Sequence, residues 1–261
     1  MKNVFYTILA ILMFTACDEV SNDERLIYVE PPQVSRAVLI EDYTGQYCVN
    51  CPRATEEIER IVAEYGDTSV IAVAIHSGPF SKRQGELTPL YTAAGDEYFN
   101  TWKLSSQPVG LVDRLYGSMP FDYTDWGAGV NFEIGRKAPV SISMATDAGD
   151  APKASVSVQV IGLDSARVAG KLQVWLIEDS IDSFQYMPNG GVEEHYNHMH
   201  VFRATINGLW GDEVAVGHGE VVTKDYDFTL DEAWVPRHCA IVAFLYDEDG
   251  VHQVAKKKLT D

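Results

Sequence analysis

The chain has 261 residues, 46% of them hydrophobic, and a formal net charge of −18 at pH 7. This length and apolar fraction suffice for more than one buried core. Because no basic stripe is present to neutralise phosphates, the composition excludes nucleic acid as a partner and argues against direct adsorption to anionic lipid surfaces.

The N-terminus predicts export. A lysine precedes an apolar run from Val4 to Met13, which is too short to span a bilayer. The run ends in Phe14-Thr15-Ala16-Cys17, which resembles a bacterial lipoprotein signal; the alternatives are an ordinary secretory signal and a buried hydrophobic N-terminus. We therefore expect residues 1–16 to be a signal peptide and Cys17 to carry lipid that attaches the protein to a membrane.

Residues 17–35 are expected to form a tether, because they are acidic and contain Pro31-Pro32 near their end. In one phylum of Gram-negative anaerobes, acidic residues directly after the lipidated cysteine resemble a signal for the outer face of the outer membrane. The expected location is therefore the outer membrane, with a lipid anchor and exposure at the cell surface.

Residues 36–136 alternate predicted strands with predicted helices, which indicates an α/β domain. The strands are apolar and rich in β-branched residues, as expected for strands buried on both faces. The predicted strands cover 37–43, 69–76 and 109–113, and the predicted helices cover 52–65, 90–103 and 121–136.

Cys48-Val49-Asn50-Cys51 lies between the first predicted strand and the first helix. Two intervening residues let the sulfurs bond, and a helix N-terminus stabilises a thiolate. In an exported protein the pair can be an active dithiol or a permanent disulfide. A zinc half-site is the weakest alternative, because no second CxxC completes four ligands. Cys239 lies in a buried-strand pattern and is expected to be an inert core thiol.

The first domain resembles a thioredoxin fold. Asp42 lies six residues before Cys48, and Gln107-Pro108 precedes a strand, as the thioredoxin cis-proline does. The resemblance implies that Cys48 is the nucleophile, that Cys51 resolves the mixed disulfide, that buried Asp42 assists proton transfer, and that Pro108 holds a substrate strand. A solvent-facing carboxylate is the alternative for Asp42. Tyr47 and Val49-Asn50 depart from the usual thioredoxin residues, so the reduction potential stays open.

Residues 137–261 change to a period of two, which predicts about seven short strands and an all-β, Ig-like sandwich. Turn residues between the runs favour hairpins. The predicted strands cover 140–144, 154–160, 170–177, 199–206, 219–229, 239–247 and 251–258.

Three histidines, His195, His198 and His200, are close together in the second domain. On a strand, His198 and His200 would point to the same face, and imidazole pairs can hold zinc, copper or nickel. The spacing matches no established metal motif, so polar residues at a strand edge or domain interface are the favoured interpretation. No cofactor is predicted.

The segments around these histidines and around the cysteines resemble the twenty-eight-kilodalton outer-membrane protein family. The matching residues are Thr44-Gly45, Asn50-Cys51-Pro52, His198–Ala204 and Asn207–Gly211. The resemblance implies a surface-exposed lipoprotein with a thioredoxin-like domain followed by a β-sandwich. It also implies a role in adhesion or receptor binding.

Two functions remain open from the sequence. The first is thiol–disulfide exchange on envelope or extracellular protein partners, carried by Cys48, Cys51, Asp42 and Pro108. The second is a non-catalytic surface binding or adhesion protein, in which Cys48–Cys51 is a structural disulfide. Both expect a protein or peptide partner.

Overall fold

The computed structural model describes residues 34–149 and 152–260. The predicted signal peptide, the lipidation site Cys17 and all but the last two residues of the predicted tether lie outside the described residues. The described helices are α1 (Cys51–Tyr65), α2 (Ala93–Thr101), α3 (Leu115–Ser118) and α4 (Trp126–Ile134). The strands are β1 (Val38–Thr44), β2 (Val70–His76), β3 (Lys82–Arg83), β4 (Glu86–Leu87), β5 (Val109–Val112), β6 (Val140–Asp147), β7 (Lys153–Gly162), β8 (Val168–Glu178), β9 (Ile181–Tyr186), β10 (Val192–His198), β11 (Val201–Thr205), β12 (Asp212–Val216), β13 (Val221–Thr229), β14 (Cys239–Asp247) and β15 (Gly250–Lys258).

Strand β1 lies at the centre of the N-terminal part, and all seven of its residues are buried. It pairs with β2 in parallel and with β5 in antiparallel orientation. The connection from β1 to β2 runs through α1, which starts with Pro52 in its first turn and ends at Gly66, where φ is +90°. Proline at a helix start and glycine after its end are the ordinary boundaries of a helix, so the sequence sets both ends of α1 locally.

The same sheet continues into the C-terminal part of the chain. Its strand order is β15-β14-β8-β11-β2-β1-β5, and β12 also pairs with β8. Strand β11 joins the two parts, because Val201 is the parallel partner of Ala74 in β2 while β11 runs antiparallel to β8. The predicted boundary at residues 136/137 therefore separates segments that share one sheet.

A second sheet of three strands, in the order β13-β7-β6, packs against the C-terminal half of the large sheet. The burial of β7 alternates along its length, as expected for a strand with one face toward a core. The core between the two sheets contains Val156, Val158 and Val160 on one side and Leu176 and Ile241 on the other. This packing of two sheets is the sandwich-like part of the molecule.

A second core cluster lies across the junction of the two parts. It contains Leu39 and Tyr98 from the N-terminal part and Trp175, Phe202 and Phe244 from the C-terminal part. Residues from Val34 onward form one compact unit. Within the described residues, no helix is long and apolar enough to cross a membrane.

Candidate functional site

The cysteine pair forms a disulfide at the start of α1. Cys48 and Cys51 are bonded, with their Cα atoms 5.4 Å apart, and Cys51 is the first residue of the helix. The backbone N–H of Cys48 donates to the carbonyl oxygen of Gly45, which closes the turn before the helix. Both cysteines are only 2% exposed. The sulfurs are therefore present in the predicted position and in oxidised form, but they are not open to solvent.

Asp42 lies on β1 beneath this helix start and is 1% exposed. It does not face solvent. Its Oδ1 atom has no hydrogen-bond partner among the described residues. Burial raises the pKa of Asp42 to about 8, because desolvation penalises the charged carboxylate. The side chain is therefore largely protonated at pH 7 and can donate a proton.

Two buried histidines lie beside Asp42. His76 ends β2 and His198 ends β10, and their rings are 5.2 Å apart in an edge-to-face arrangement. Desolvation lowers the pKa of His76 well below its usual value and that of His198 to about 4. Both imidazoles are therefore neutral at pH 7. The Nδ1 atom of His76 has no hydrogen-bond partner among the described residues.

A small cavity connects these groups. Its volume is about 20 Å³, and its lining includes Asp42, Cys51, His76, Gln185, Tyr196 and His198. That volume is enough for one water molecule. Asp42 and Cys51 therefore line the same cavity.

A hairpin formed by β9 and β10 lies over the disulfide. The two strands form a separate two-stranded sheet. The Nε2 atom of Gln185 donates to the carbonyl oxygens of Cys48, at 2.9 Å, and Gly45, at 3.3 Å. The backbone N–H of Tyr186 donates to the carbonyl oxygen of Gln46 at 2.9 Å. The hairpin therefore binds the main chain of the turn that carries the cysteines.

The same turn also holds the hairpin through side chains. The Nε2 atom of Gln46 donates to the Oγ atom of Ser183 and the carbonyl oxygen of Phe184. The ring of Tyr47 packs against those of Phe184 and Tyr186, with centroids 5.4 and 5.3 Å away. Tyr47 is thus part of the contact with the hairpin.

Gln107 and Pro108 lie close to the same turn. The peptide bond between them is cis, and Pro108 is half-buried. The Nε2 atom of Gln107 donates to the carbonyl oxygens of Thr44 and Ser77, at 2.6 and 3.0 Å. Gln107 therefore connects the segment before β5 with the ends of β1 and β2.

The three histidines of the predicted cluster are in different environments. His198 is buried against His76, whereas His195 is exposed and contacts Asp182, and His200 pairs with Asp179. Within residues 34–149 and 152–260, no group of three or more His, Cys, Asp or Glu side chains is placed to hold a metal ion. Cys239 is a buried free thiol in β14.

Gln46, His76, Gln185 and the β9–β10 hairpin were not predicted from the sequence as parts of the site. The segment Ile181–Tyr186 does not alternate regularly in polarity, and the structure buries the polar Gln185 while Phe184 is half-buried, so no period of two indicates β9. No local signal indicates that Gln185 reaches Cys48, because the contact joins residues that are far apart in the chain.

Comparisons with known proteins identify the family. The family model for outer membrane protein Omp28 matches residues 95–261, which is more than half of the chain. The chain therefore belongs to the Omp28 family, and the predicted location at the outer membrane is confirmed. A comparison with curated proteins finds no match.

Solved structures are similar to the chain as well. HBP35 of Porphyromonas gingivalis aligns with a TM-score of 0.68 at 14% identity, over 86% of this chain and 76% of that one. At this identity the similarity shows a common fold. A domain of the outer membrane lipoprotein Omp28 from Porphyromonas gingivalis aligns at 24% identity and a TM-score of 0.35, over 47% of this chain and 88% of that one.

Proposed function

We propose that this member of the Omp28 family is anchored by lipid on Cys17, is exposed at the cell surface, and exchanges disulfides with protein partners through Cys48 and Cys51. The observation that carries the proposal is the cavity that Cys51 shares with protonated Asp42, since a departing Cys51 thiolate needs a proton donor at that place. Residues 36–136 would be the thioredoxin-like unit and residues 137–261 an Ig-like sandwich. The order and directions of β2, β1 and β5 around the helix that starts at Cys51 support the first assignment.

The exchange begins from the disulfide form. A partner thiolate attacks the Sγ atom of Cys48, the bond between Cys48 and Cys51 breaks, and Cys51 leaves as a thiolate. Asp42 gives its proton to that thiolate. A second thiolate of the partner then attacks the partner's sulfur in the mixed disulfide and releases Cys48. The partner dithiol is oxidised by two electrons, and the cysteine pair is reduced.

The same steps in reverse reduce a partner disulfide. Cys48 attacks the partner, Asp42 as carboxylate takes the proton of Cys51, and Cys51 attacks Cys48 in the mixed disulfide. The direction depends on the reduction potentials of the pair and its partner. Pro108, half-buried beside the turn, would lie along the bound partner segment.

Full-length protein in detergent can be tested in an assay of insulin reduction by dithiothreitol. Wild type is expected to accelerate the reaction, and Cys48→Ser is expected to leave it at the uncatalysed rate. Asp42→Asn is expected to slow the reaction by about tenfold to a hundredfold, because the proton transfer to Cys51 is lost. Equal rates for wild type and Cys48→Ser would contradict the proposal.

One observation favours the second function, a binding or adhesion protein with a structural disulfide. Both cysteines are 2% exposed, whereas a dithiol that exchanges with proteins must be reached by another sulfur. The reduction potential of the pair separates the two functions. A value below about −300 mV would assign the disulfide a structural role.

A further inference from the structure

The β9–β10 hairpin, which lies over the disulfide, is a separate two-stranded element. Strands β9 and β10 pair only with each other in the described sheets, and a two-stranded hairpin has little stability alone. Five of the seven residues of β10 are exposed. The hairpin is therefore held in place mainly by its contacts with the turn at residues 45–48 and with the end of β2.

Both ends of the hairpin have a left-handed backbone conformation. Ser180, before β9, has φ of +60°, and His200, after β10, has φ of +56°. The two ends are tied together, because the side chain of Asp179 accepts hydrogen bonds from the backbone N–H of His200 at 2.6 Å and pairs with its Nδ1 atom. The base of the hairpin is thus fixed, while the rest is attached through glutamine side chains, ring contacts, the backbone bond from Tyr186 to Gln46 and a hydrogen bond from Arg83 to the Tyr186 hydroxyl.

The hairpin makes the kind of contact that an extended peptide would make. The backbone N–H of Tyr186 donates to the carbonyl oxygen of Gln46, two residues before Cys48. A peptide that adds to a main-chain edge uses the same hydrogen bonds. The surface next to the cysteines is therefore suited to an extended polypeptide segment, and β9 occupies it.

We propose that the β9–β10 hairpin is a lid over Cys48–Cys51, and that an extended segment of an unfolded protein partner displaces it to reach the disulfide. The inference rests on the proposed exchange function. In the closed state, which the structure describes, Gln185 and Gln46 hold the lid. In the open state, the carbonyl oxygens of Gly45, Gln46 and Cys48 become available to the partner.

The lid can be tested on the full-length protein without any exchange partner. Tris(2-carboxyethyl)phosphine reduces the disulfide, and alkylation followed by mass spectrometry counts the free thiols over time. The double variant Gln46→Ala/Gln185→Ala, which loses the side-chain hydrogen bonds between lid and turn, is expected to be reduced about tenfold faster than wild type. Gln253→Ala removes another buried glutamine, which is bonded to Ser35 and Ala37. Its disulfide is expected to be reduced at a rate within about twofold of that of wild type.

Cys239 provides an internal control for global unfolding. Its buried thiol lies in β14, which pairs with β8 on one side and β15 on the other, so the thiol is exposed only when the large sheet opens. Faster reduction with no faster alkylation of Cys239 supports the lid, since it shows local opening. Reduction of the double variant at the wild-type rate, or acceleration only in step with alkylation of Cys239, would overturn the lid.

The kind of partner has its own test. Reduced and carboxymethylated lactalbumin, which is unfolded and has no thiols, is expected to accelerate reduction of the wild-type disulfide, whereas folded lactalbumin is not. No acceleration by the unfolded protein overturns displacement by an extended segment. The insulin assay tests the exchange function separately. If the double variant is reduced faster but wild type reduces insulin no faster than Cys48→Ser does, the lid is supported and the exchange function is refuted.

Discussion

The side-chain amide of Gln185 donates a hydrogen bond of 2.9 Å to the carbonyl oxygen of Cys48, so a residue of the C-terminal part binds the first cysteine of the disulfide. Gln185 is itself 2% exposed. Because buried polar groups are costly to leave without partners, this contact should matter for the position of the hairpin. It links the two parts of the chain at the candidate site.

Gln185→Ala is expected to loosen the hairpin without unfolding the protein. Loss of the amide removes one donor from each of the carbonyl oxygens of Gly45 and Cys48, which keep only the backbone bonds of the turn, and weakens the neighbouring bond from Tyr186 to Gln46. Hydrogen exchange followed by mass spectrometry should show amides of residues 181–198 exchanging about tenfold faster, with strand β14 unchanged. The Gln253→Ala variant serves as control. Unchanged exchange in 181–198 would show that Gln185 does not hold the hairpin.

Asp42 should make the folded state less stable as the pH rises. Burial raises its pKa in the folded protein to about 8, whereas the unfolded chain has an ordinary carboxyl group. The folded state therefore binds one more proton between these two values, and the stabilisation present below the unfolded pKa is lost as pH rises through about 8.

Asp42→Asn is expected to remove this dependence. The decrease in the free energy of unfolding from pH 5 to pH 8, measured with urea, should be about 3 kcal/mol smaller than in wild type. Asp67→Asn, which changes an exposed carboxylate just after α1, is the matched control and should follow wild type. An Asp42→Asn variant with the pH profile of wild type would refute the buried, protonated state of this carboxyl group.

His198, the buried histidine on β10, should make the folded state less stable as the pH falls, which is the opposite of the effect of Asp42. Desolvation lowers the pKa of His198 to about 4 in the folded protein, so the unfolded chain takes up a proton first as pH falls below about 6.5. The contribution of His198 to stability is fully present above its pKa in the unfolded chain and is lost as the pH falls toward its pKa in the folded protein. His198→Gln is expected to reduce the loss between pH 7 and pH 5 by about 2 kcal/mol in urea unfolding.

His195→Gln is the matched control for His198, since His195 lies on the same strand with its side chain exposed. It should lose stability with falling pH as wild type does. If both variants behave alike, the acid sensitivity does not originate from the buried histidine next to His76.

Elements with local signals were predictable from the sequence. The predicted strand 37–43, the helix 52–65 and the strand 69–76 agree with β1, α1 and β2 to within one residue at each end. Their apolar runs, the proline at the helix start and the glycine after its end are properties of the segments themselves. The positions of Cys48 and Cys51 at the start of α1 followed from the same signals.

Contacts between distant segments were not predictable. The pairing of Val201 with Ala74, which joins the two parts in one sheet, depends on tertiary packing that no single segment encodes. The predicted strand 199–206 began too early because His200 has a positive φ and ends the hairpin instead. For the same reason His198 and His200 do not share a strand face, and His198 lies against His76 at the disulfide.

The buried ion pair of Arg114 and Glu41 should dominate the stability of the junction. The Nε atom of Arg114 is 2.6 Å from Oε1 of Glu41, and the guanidinium lies 4.4 Å from the ring centroid of Tyr246 and 4.9 Å from that of Phe244.

Arg114→Met leaves the Glu41 carboxylate buried without its cation, so the free energy of unfolding in urea should fall by about 3–5 kcal/mol. The exposed ion pairs of Arg60 are the comparison, and Arg60→Met should leave the free energy of unfolding close to that of wild type, because exposed ion pairs contribute little. The double variant Glu41→Leu/Arg114→Met should recover part of the loss, because no isolated charge then remains buried. A double variant less stable than Arg114→Met alone would show that the unpaired Glu41 carboxylate does not set the cost.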